Sequence, residues 1–389
     1  MENAEKQVDL LVVGAGPAGS AAARRARTLG LSVLVIDRAT FPRNKLCGGG
    51  LTTRSTRAIA EIFGQPVPSG LALTSHQVAF RWNGELLVKF KMDKPLLYVQ
   101  RAEFDSWLLA QAQEAGAEFR QATRILSVDT GSRTASLSDG TQVRFRALIG
   151  ADGVTGHVAR KVLGLRVDTE KQAFFAYEAE LPTALHDEAL MSIDFGIVSP
   201  GYGWSFPKFG GATIGLGSKQ KGLEGMREAL DRLIQAEGFD PEGVKVRGAF
   251  LPDGHYVARP GNGSVVVVGD AAGLADSVSG EGIAWALESG ALAADAVAQA
   301  SRPDDVARLY FRQLKPIHRE FDSSRRLAHV LYARRLQGKL RDRLMHSETM
   351  RQIFGQLISG EMGCRQLERL LIRRFFRLCC ARLFPWSVR

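Results

Sequence analysis

The chain has little cysteine: four in 389 residues, at positions 47, 364, 379 and 380. They are too few and too unevenly spread for a disulfide framework. No H-E-x-x-H occurs, no cysteines fall at zinc-ligand spacing, and the seven histidines form no cluster. No metal is therefore expected. No run of eighteen apolar residues exists, so no membrane-spanning helix is expected. The opening MENAEKQ is polar and acidic, unlike a secretion signal, and a cytoplasmic enzyme is expected. Internal repeats and low-complexity linkers are absent as well. The first 300 residues lack appreciable net charge. Residues 301–389 carry 20 Lys and Arg against 8 Asp and Glu, a net +12. The whole chain is +10, which leaves −2 for residues 1–300. No aromatics interleave with a basic strand face, so nucleic acid is not an expected partner.

What is present is an α/β pattern in a chain long enough for two or three lobes. Hydrophobic residues make up 45% and glycines number 41. The organising stretch is VDLLVVGAGPAG, residues 8–19. A buried-strand pattern runs into Gly14, Gly16, Pro17, Ala18 and Gly19, and an Ala-rich helix follows. Strand, G-x-G-x-x-G and helix in that order form a dinucleotide fingerprint. Gly14 allows the tight turn, Gly16 admits a pyrophosphate, and Gly19 lets helix and strand pack closely. A second strand over 31–36 ends in Asp37, at the spacing of an acid that accepts from a ribose.

Further along, Lys45-Leu46-Cys47-Gly48-Gly49-Gly50 forbids regular structure and permits close backbone approach. Asn83-Gly84 marks a hairpin. Arg101 precedes a helix over 102–114, and a strand over 147–151 ends in Asp152-Gly153. Strands fill 173–218, a helix starts at about 223, and a strand follows over 244–251. A buried strand over 264–268 then enters Gly269-Asp270-Ala271-Ala272-Gly273, and a long helix begins at about 282. The rest is helical. The nucleotide fold is thus in pieces, near 1–75, 100–165 and 260–300. A β-rich lobe (76–99 and 166–259) interrupts it, and a basic helical segment (301–389) follows.

Three separated motifs carry a resemblance: residues 14–19 with Asp37, Ile149-Gly150-Ala151-Asp152-Gly153, and Gly269-Asp270-Ala271-Ala272-Gly273. In this order they resemble the FAD-dependent oxidoreductases of the para-hydroxybenzoate-hydroxylase fold. Two more narrow it. Lys45-x-Cys47-Gly48-Gly49 is similar to the cysteine motif of the geranylgeranyl reductases. Tyr202-x-Trp204-x-Phe206-Pro207 is similar to their Y-x-W-x-F-P pattern, followed by a Gly-rich strand. The resemblance implies a Rossmann-type FAD-binding domain interrupted by a substrate domain. It implies that Asp270 binds the ribityl chain and that Arg101 lies on the phosphate-ribityl side. It also implies that Gly280, Gly282 and Ile283 bring backbone N–H groups to the pyrimidine end of the flavin. Arg38, Lys45, Cys47, Gly48, Asp152 and Gly269 complete the expected cofactor set.

The implied reaction is reduction of isolated C=C bonds in a geranylgeranyl-type chain, by hydride from flavin N5 plus protonation. Cys47 is the expected proton donor and Tyr202 the runner-up. For Cys47 the competing role is a small hydrophobe beside a glycine turn. Tyr202, Trp204 and Phe206 either line an isoprenoid channel or pack a core face. The expected substrate is a prenylated lipid, quinone or pigment. No second strand-linked G-x-G-x-x-G exists, so electrons come from NAD(P)H, a partner reductase or a ferredoxin. Where the family often has Asn-Pro, this chain reads Leu274-Ala275-Asp276. The alternative is a monooxygenase or halogenase of the same fold acting on a hydrophobic or aromatic substrate. The halogenases carry W-x-W-x-I-P, and Tyr202 and Phe206 depart from it. In the tail, Arg365, Arg369, Arg373 and Arg377 recur every four residues, with Leu367, Leu371, Phe375 and Leu378 opposite. Residues 361–389 are therefore either an interfacial helix on the inner membrane face or a lid on the substrate lobe.

Overall fold

A computed structural model describes residues 5–165, 173–182, 190–219 and 225–383. The expected boundary at 166, the helix start at 223 and the last six residues lie outside these. Two eight-stranded sheets carry the fold. The first grows from Glu5–Val13, which pairs in parallel with Val33–Ile36 and with Gln142–Gly150. Glu118–Arg120 and Val265–Val267 extend it in parallel at either side. Val33–Ile36 and Val265–Val267 are buried throughout, as strands covered on both faces must be. The helices Pro17–Thr28 and Ile283–Gln299 pack together on one face of this sheet. Gly290 lets them meet, because a Cβ there would lie 2.2 Å from the Ala18 carbonyl oxygen.

The second sheet is mostly antiparallel. Its order is Val246–Pro252, Ala173–Pro182, Gly211–Ser218, Gly201–Lys208, Leu190–Asp194, Ala72–Trp82, Glu85–Val99 and Gly50–Leu51. One parallel pair, Leu190–Asp194 with Ala72–Trp82, joins chain segments more than a hundred residues apart into one sheet. The expected hairpin turn is there: Asn83 and Gly84 have φ of 51° and 89°, as a type I′ turn requires. Buried Asp194 accepts from both of their N–H groups, at 2.8 and 2.6 Å.

Period-two alternation gives this sheet two apolar faces. On Ala173–Pro182, Ala179 and Leu181 are buried against the helix Met226–Ala236, with Phe175 and Tyr177 packed beside them. Phe174, Ala176 and Glu178 point the other way, into a cavity between the sheets. Four C-terminal helices follow: Val306–Leu331, Arg334–His346, Glu348–Ile358 and Cys364–Leu383. Phe354 meets Phe80 and Phe195 edge-on, with ring centroids 6.0 and 5.9 Å apart, so the third of these helices caps the sheet. Among the described residues, no helix is long and apolar enough to cross a membrane.

Candidate active site

One cavity of about 760 Å³ runs between the sheets. One wall is backbone. Gly14 turns the chain at φ +106°, and a Cβ there would strike the Ala151 carbonyl oxygen at 2.3 Å. Gly19 packs on the strand, where a Cβ would lie 1.8 Å from the Gly14 carbonyl oxygen. Gly16 borders the cavity, and only the Arg43 guanidinium comes near its missing Cβ. No side chain caps the helix that starts at Pro17, so its first-turn N–H groups carry no side-chain partner at the cavity. The helix Ile283–Gln299 likewise has no side-chain cap at Gly282. Two helix N-termini therefore favour negative charge in this wall.

Asp37 shapes the wall through its own hydrogen bonds. Its carboxylate accepts from the Ala15 N–H and the Ala39 N–H, each at 2.8 Å, and so ties the glycine turn to the second strand. Each carboxylate oxygen keeps a further lone pair for a ribose hydroxyl. Arg101 is buried, and its Nε and Nη2 donate to Asp105 at 2.8 Å each. Its guanidinium lies near the Cys47 side chain, and both border the cavity. Asp152 borders the cavity with its Oδ2 accepting from Val158, and burial pushes its carboxyl up. Its Oδ1 is buried without a hydrogen-bond partner.

The opposite wall is made of side chains. Tyr202, Trp204 and Phe206 all line the cavity, with neighbouring ring centroids 5.7 and 6.4 Å apart. The Gly-rich strand beside them makes room for rings on this face. Tyr202 stands opposite Gly217 and Trp204 opposite Gly215 in the antiparallel register. A Cβ on Gly215 would sit 2.5 Å from Trp204 Cζ2, and one on Gly217 would sit 2.0 Å from Phe174 Cε1. These glycines clear the space that the neighbouring rings occupy. The Cys47 loop closes down on the same floor, since a Cβ on Gly48 would lie 2.5 Å from Phe206 Cδ2.

Two tyrosines hold the loop before the second helix. Tyr202 donates its hydroxyl to the Ser279 carbonyl at 2.7 Å, and Tyr332 donates to the Val278 carbonyl at 2.8 Å. Their rings stack at 6.4 Å with an interplanar angle of 9°. Burial pushes both phenols up, so neither ionises readily.

Most of the residues expected from the sequence thus meet in one place. Gly14, Gly16, Pro17, Ala18, Asp37, Arg38, Lys45, Cys47, Gly48, Arg101, Asp152, Asp270, Gly280, Gly282 and Ile283 border the cavity. Gly19 and Gly269 do not; both are packing positions. Gly269 donates its N–H to Ser289 at 3.0 Å, against Ala18 and Ala286. Sequence reasoning missed the carboxyls of Glu178 and Glu281, the clamp residue Tyr332, and the cap residues Leu331, Phe354 and Ile358, which all border the cavity.

Comparison with known proteins gives the site its context. Residues 7–187 match the family described as FAD binding domain. A menaquinone reductase of Mycobacterium tuberculosis is 36% identical over 353 residues, covering 84% of this chain and 85% of that protein. A geranylgeranyl diphosphate reductase of Rhodobacter capsulatus is 31% identical over 303 residues, 74% of each chain. The chain belongs to the geranylgeranyl reductase family of FAD-dependent oxidoreductases. The fold agrees. A geranylgeranyl bacteriochlorophyll reductase-like protein of Thermoplasma acidophilum superposes with a TM-score of 0.81, at 22% identity, over 94% of this chain and all of that one. The residues present fit FAD. The glycine turn and the two uncapped helix ends suit a pyrophosphate and an electron-rich ring. Asp37 and the unpartnered Asp152 oxygen offer acceptors to hydroxyl groups. When bound and reduced, FAD supplies a hydride.

Proposed function

We propose that the enzyme saturates isolated C=C bonds in the prenyl chain of a lipid, quinone or pigment. The observation that carries this reading is the cavity's two unlike walls. A nucleotide-binding backbone wall faces an apolar side-chain wall built on Tyr202, Trp204 and Phe206. The menaquinone and geranylgeranyl names of the relatives support the same substrate class. An isolated trisubstituted alkene is not polarised, so hydride alone has no electrophilic carbon to attack. A proton must arrive with it, and positive charge builds at the more substituted carbon. Tyr202, Trp204 and Phe206 present π faces that favour such charge. The proton comes from the wall made by the Cys47 loop and the aromatic strand. The Cys47 thiol is one acid there. Tyr202 has its hydroxyl proton engaged with Ser279, which suits a positioning role. FAD is held by the glycine turn, Asp37, Asp152, Asp270 and the backbone at 280–283. Its electrons come from NAD(P)H or from a partner reductase or ferredoxin.

The protein acts in the cytoplasm, at the inner membrane face where such lipids lie. The test is anaerobic. Reduced holoenzyme mixed with geranylgeranyl lipid or menaquinone should reoxidise its flavin as the product gains the mass of two hydrogens per bond. Reoxidation by oxygen alone, with no such gain on any prenyl lipid, overturns the reading and favours a monooxygenase.

A further inference from the structure

We propose that the carboxyl of Glu178 is the acid that protonates the alkene. The inference rests on the prenyl-reduction reading and adds the identity of the proton donor. Glu178 is 4% exposed, yet it borders the cavity. It sits on the sheet face that also carries Trp204, two strands away, with Gly215 between them in register. The bare Gly215 lets the indole cross the intervening strand, and Trp204 Nε1 donates to Glu178 Oε1 at 3.4 Å. From the other side the Cys47 loop closes over the same carboxyl, with the Cys47 backbone N–H near enough to favour its charged form. Glu178 therefore lies between the Cys47 loop and the aromatic floor, in the wall from which the proton comes on the proposed function.

The groups around it fix its chemistry. Lys208 is 3% exposed, and its Nζ donates to the Cys47 carbonyl at 3.5 Å. Lys208 attracts the Glu178 carboxylate and exposed Glu180 repels it. Arg247 stands opposite on the outer neighbouring strand and is exposed; Lys45 and Cys47 are the titratable groups on the loop, and both border the cavity. Burial outweighs the lysine and raises the Glu178 carboxyl to about 7. At neutral pH a large fraction is the neutral acid, which an ordinary glutamate is not. A glutamine would satisfy the same indole without the cost of burying a charge. The acid is useful only where a proton is moved.

The step balances. As the Glu178 O–H bond breaks, a C–H bond forms at the less substituted alkene carbon and the π bond opens. The other carbon takes the hydride that reduced FAD supplies. The carboxylate left behind regains its proton from water, beside the Lys208 ammonium.

Single-turnover saturation by dithionite-reduced holoenzyme tests this across pH 6–9. Wild-type rates should fall about tenfold per pH unit above roughly pH 7, as the acid form is lost. Glu178→Gln should keep FAD, fall at least about 100-fold in saturation rate, and lose that pH limb. Glu178→Asp should be slower but keep the limb. Infrared titration of wild-type holoenzyme should show protonated carboxyl absorption near pH 6 that falls by one carboxyl in Glu178→Gln, with Glu281 supplying the remainder. An active wild type with an equally fast Glu178→Gln overturns the proposal alone. So does loss of the pH limb in Cys47→Ala but not in Glu178→Gln, which assigns the proton to the thiol. A wild type that adds hydrogen to no prenyl lipid overturns the prenyl reading instead, and the infrared difference then reports only the protonation of Glu178.

Discussion

The two walls of the cavity achieve recognition in opposite ways. The wall from the parallel sheet is backbone: two glycine-shaped turns and two helix ends with no side-chain cap. The wall from the antiparallel sheet is side chain: three aromatics on one strand, with Trp204 laid over Gly215 of the next. The first suits a charged nucleotide, because N–H groups and helix dipoles interact with phosphate at fixed positions. The second suits a prenyl chain, because apolar area is non-directional and tolerates a sliding ligand. On the proposed function, the site needs both. The cofactor must stay in register while the substrate moves.

That contrast can be broken from either side. The largest effect is expected in the backbone wall. Gly19→Ala places a methyl where 1.8 Å separates it from the Gly14 carbonyl oxygen. Neither backbone segment can yield without moving the strand or the helix. The variant should purify as colourless apoprotein, with flavin per polypeptide below about a tenth of wild type and a lower melting temperature. A fully yellow Gly19→Ala would show that the turn has slack.

Gly215→Val makes the matching test of the side-chain wall. The added atoms displace the Trp204 indole, whose Cζ2 lies 2.5 Å from the first of them. Flavin content should stay at wild-type level, while kcat/KM for the prenyl substrate falls about 10- to 100-fold. Overpacking of this kind typically costs about 1–3 kcal/mol, so the fold should survive. If flavin were lost along with saturation, the two walls would not be separable.

The difference between the walls also sets how much of each can be read in the sequence. A glycine turn is a local demand. Gly14, Gly16 and Gly19 state it within six residues, and Asp37 follows at a fixed distance through one helix. The aromatic strand is half local: Tyr202, Trp204 and Phe206 share a face by alternation alone. Why Gly215 and Gly217 matter emerges only from the register that sets them opposite those rings. Glu178 was hidden for a physical reason. In FFAYEAEL, Phe175, Tyr177, Ala179 and Leu181 form the more apolar face, so the other face reads as solvent. In the fold that face is the cavity lining, covered by the Cys47 loop from 130 residues upstream. The cap was hidden likewise. Tyr332 and Phe354 belong to a basic helical segment, and only tertiary packing brings them onto Tyr202 and Phe80.

A smaller effect is expected where the walls meet. Glu281 stands half-buried at the start of the second helix, accepting from Thr52 Oγ1 and from Ser55 Oγ. Burial raises its carboxyl to about 7, with Asp276 and Glu288 adding repulsion and Thr52 and Arg54 opposing it. The folded state therefore holds this proton to higher pH than the unfolded chain, whose glutamates titrate near 4.5. Stability from the neutral form is full below pH 4.5 and is lost as pH rises through 7. With screening at a half-exposed site, the loss is about 1 kcal/mol. Glu281→Gln should hold its melting temperature between pH 5 and pH 8 better than wild type, by a few degrees. An identical pH dependence in the two proteins would mean that Glu281 is ionised throughout.

The smallest effect concerns the end of the chain, where the sequence left lid and membrane helix open. Along the helix Cys364–Leu383 the first turn is packed and the next is exposed. At its start Cys364 and Leu367 are buried, Cys364 borders the cavity, and Arg326 pairs with Glu368. One turn later Leu370, Leu371 and Ile372 are 45, 48 and 49% exposed, next to exposed Arg369, Arg373 and Arg374. An apolar triplet among arginines, directly beyond the cavity wall, suits an anionic bilayer that delivers the prenyl lipid. Each arginine near such a surface adds about 1 kcal/mol, and the contact weakens with salt. Leu370→Ser with Leu371→Ser and Ile372→Ser should lower co-sedimentation with anionic vesicles several-fold at low salt. Turnover of a short, detergent-soluble prenyl substrate should stay within about twofold, because these side chains lie outside the cavity wall. Equal sedimentation of the triple variant and wild type would leave the helix as a lid alone. A collapse of turnover on the soluble substrate would instead show that the helix end shapes the cavity.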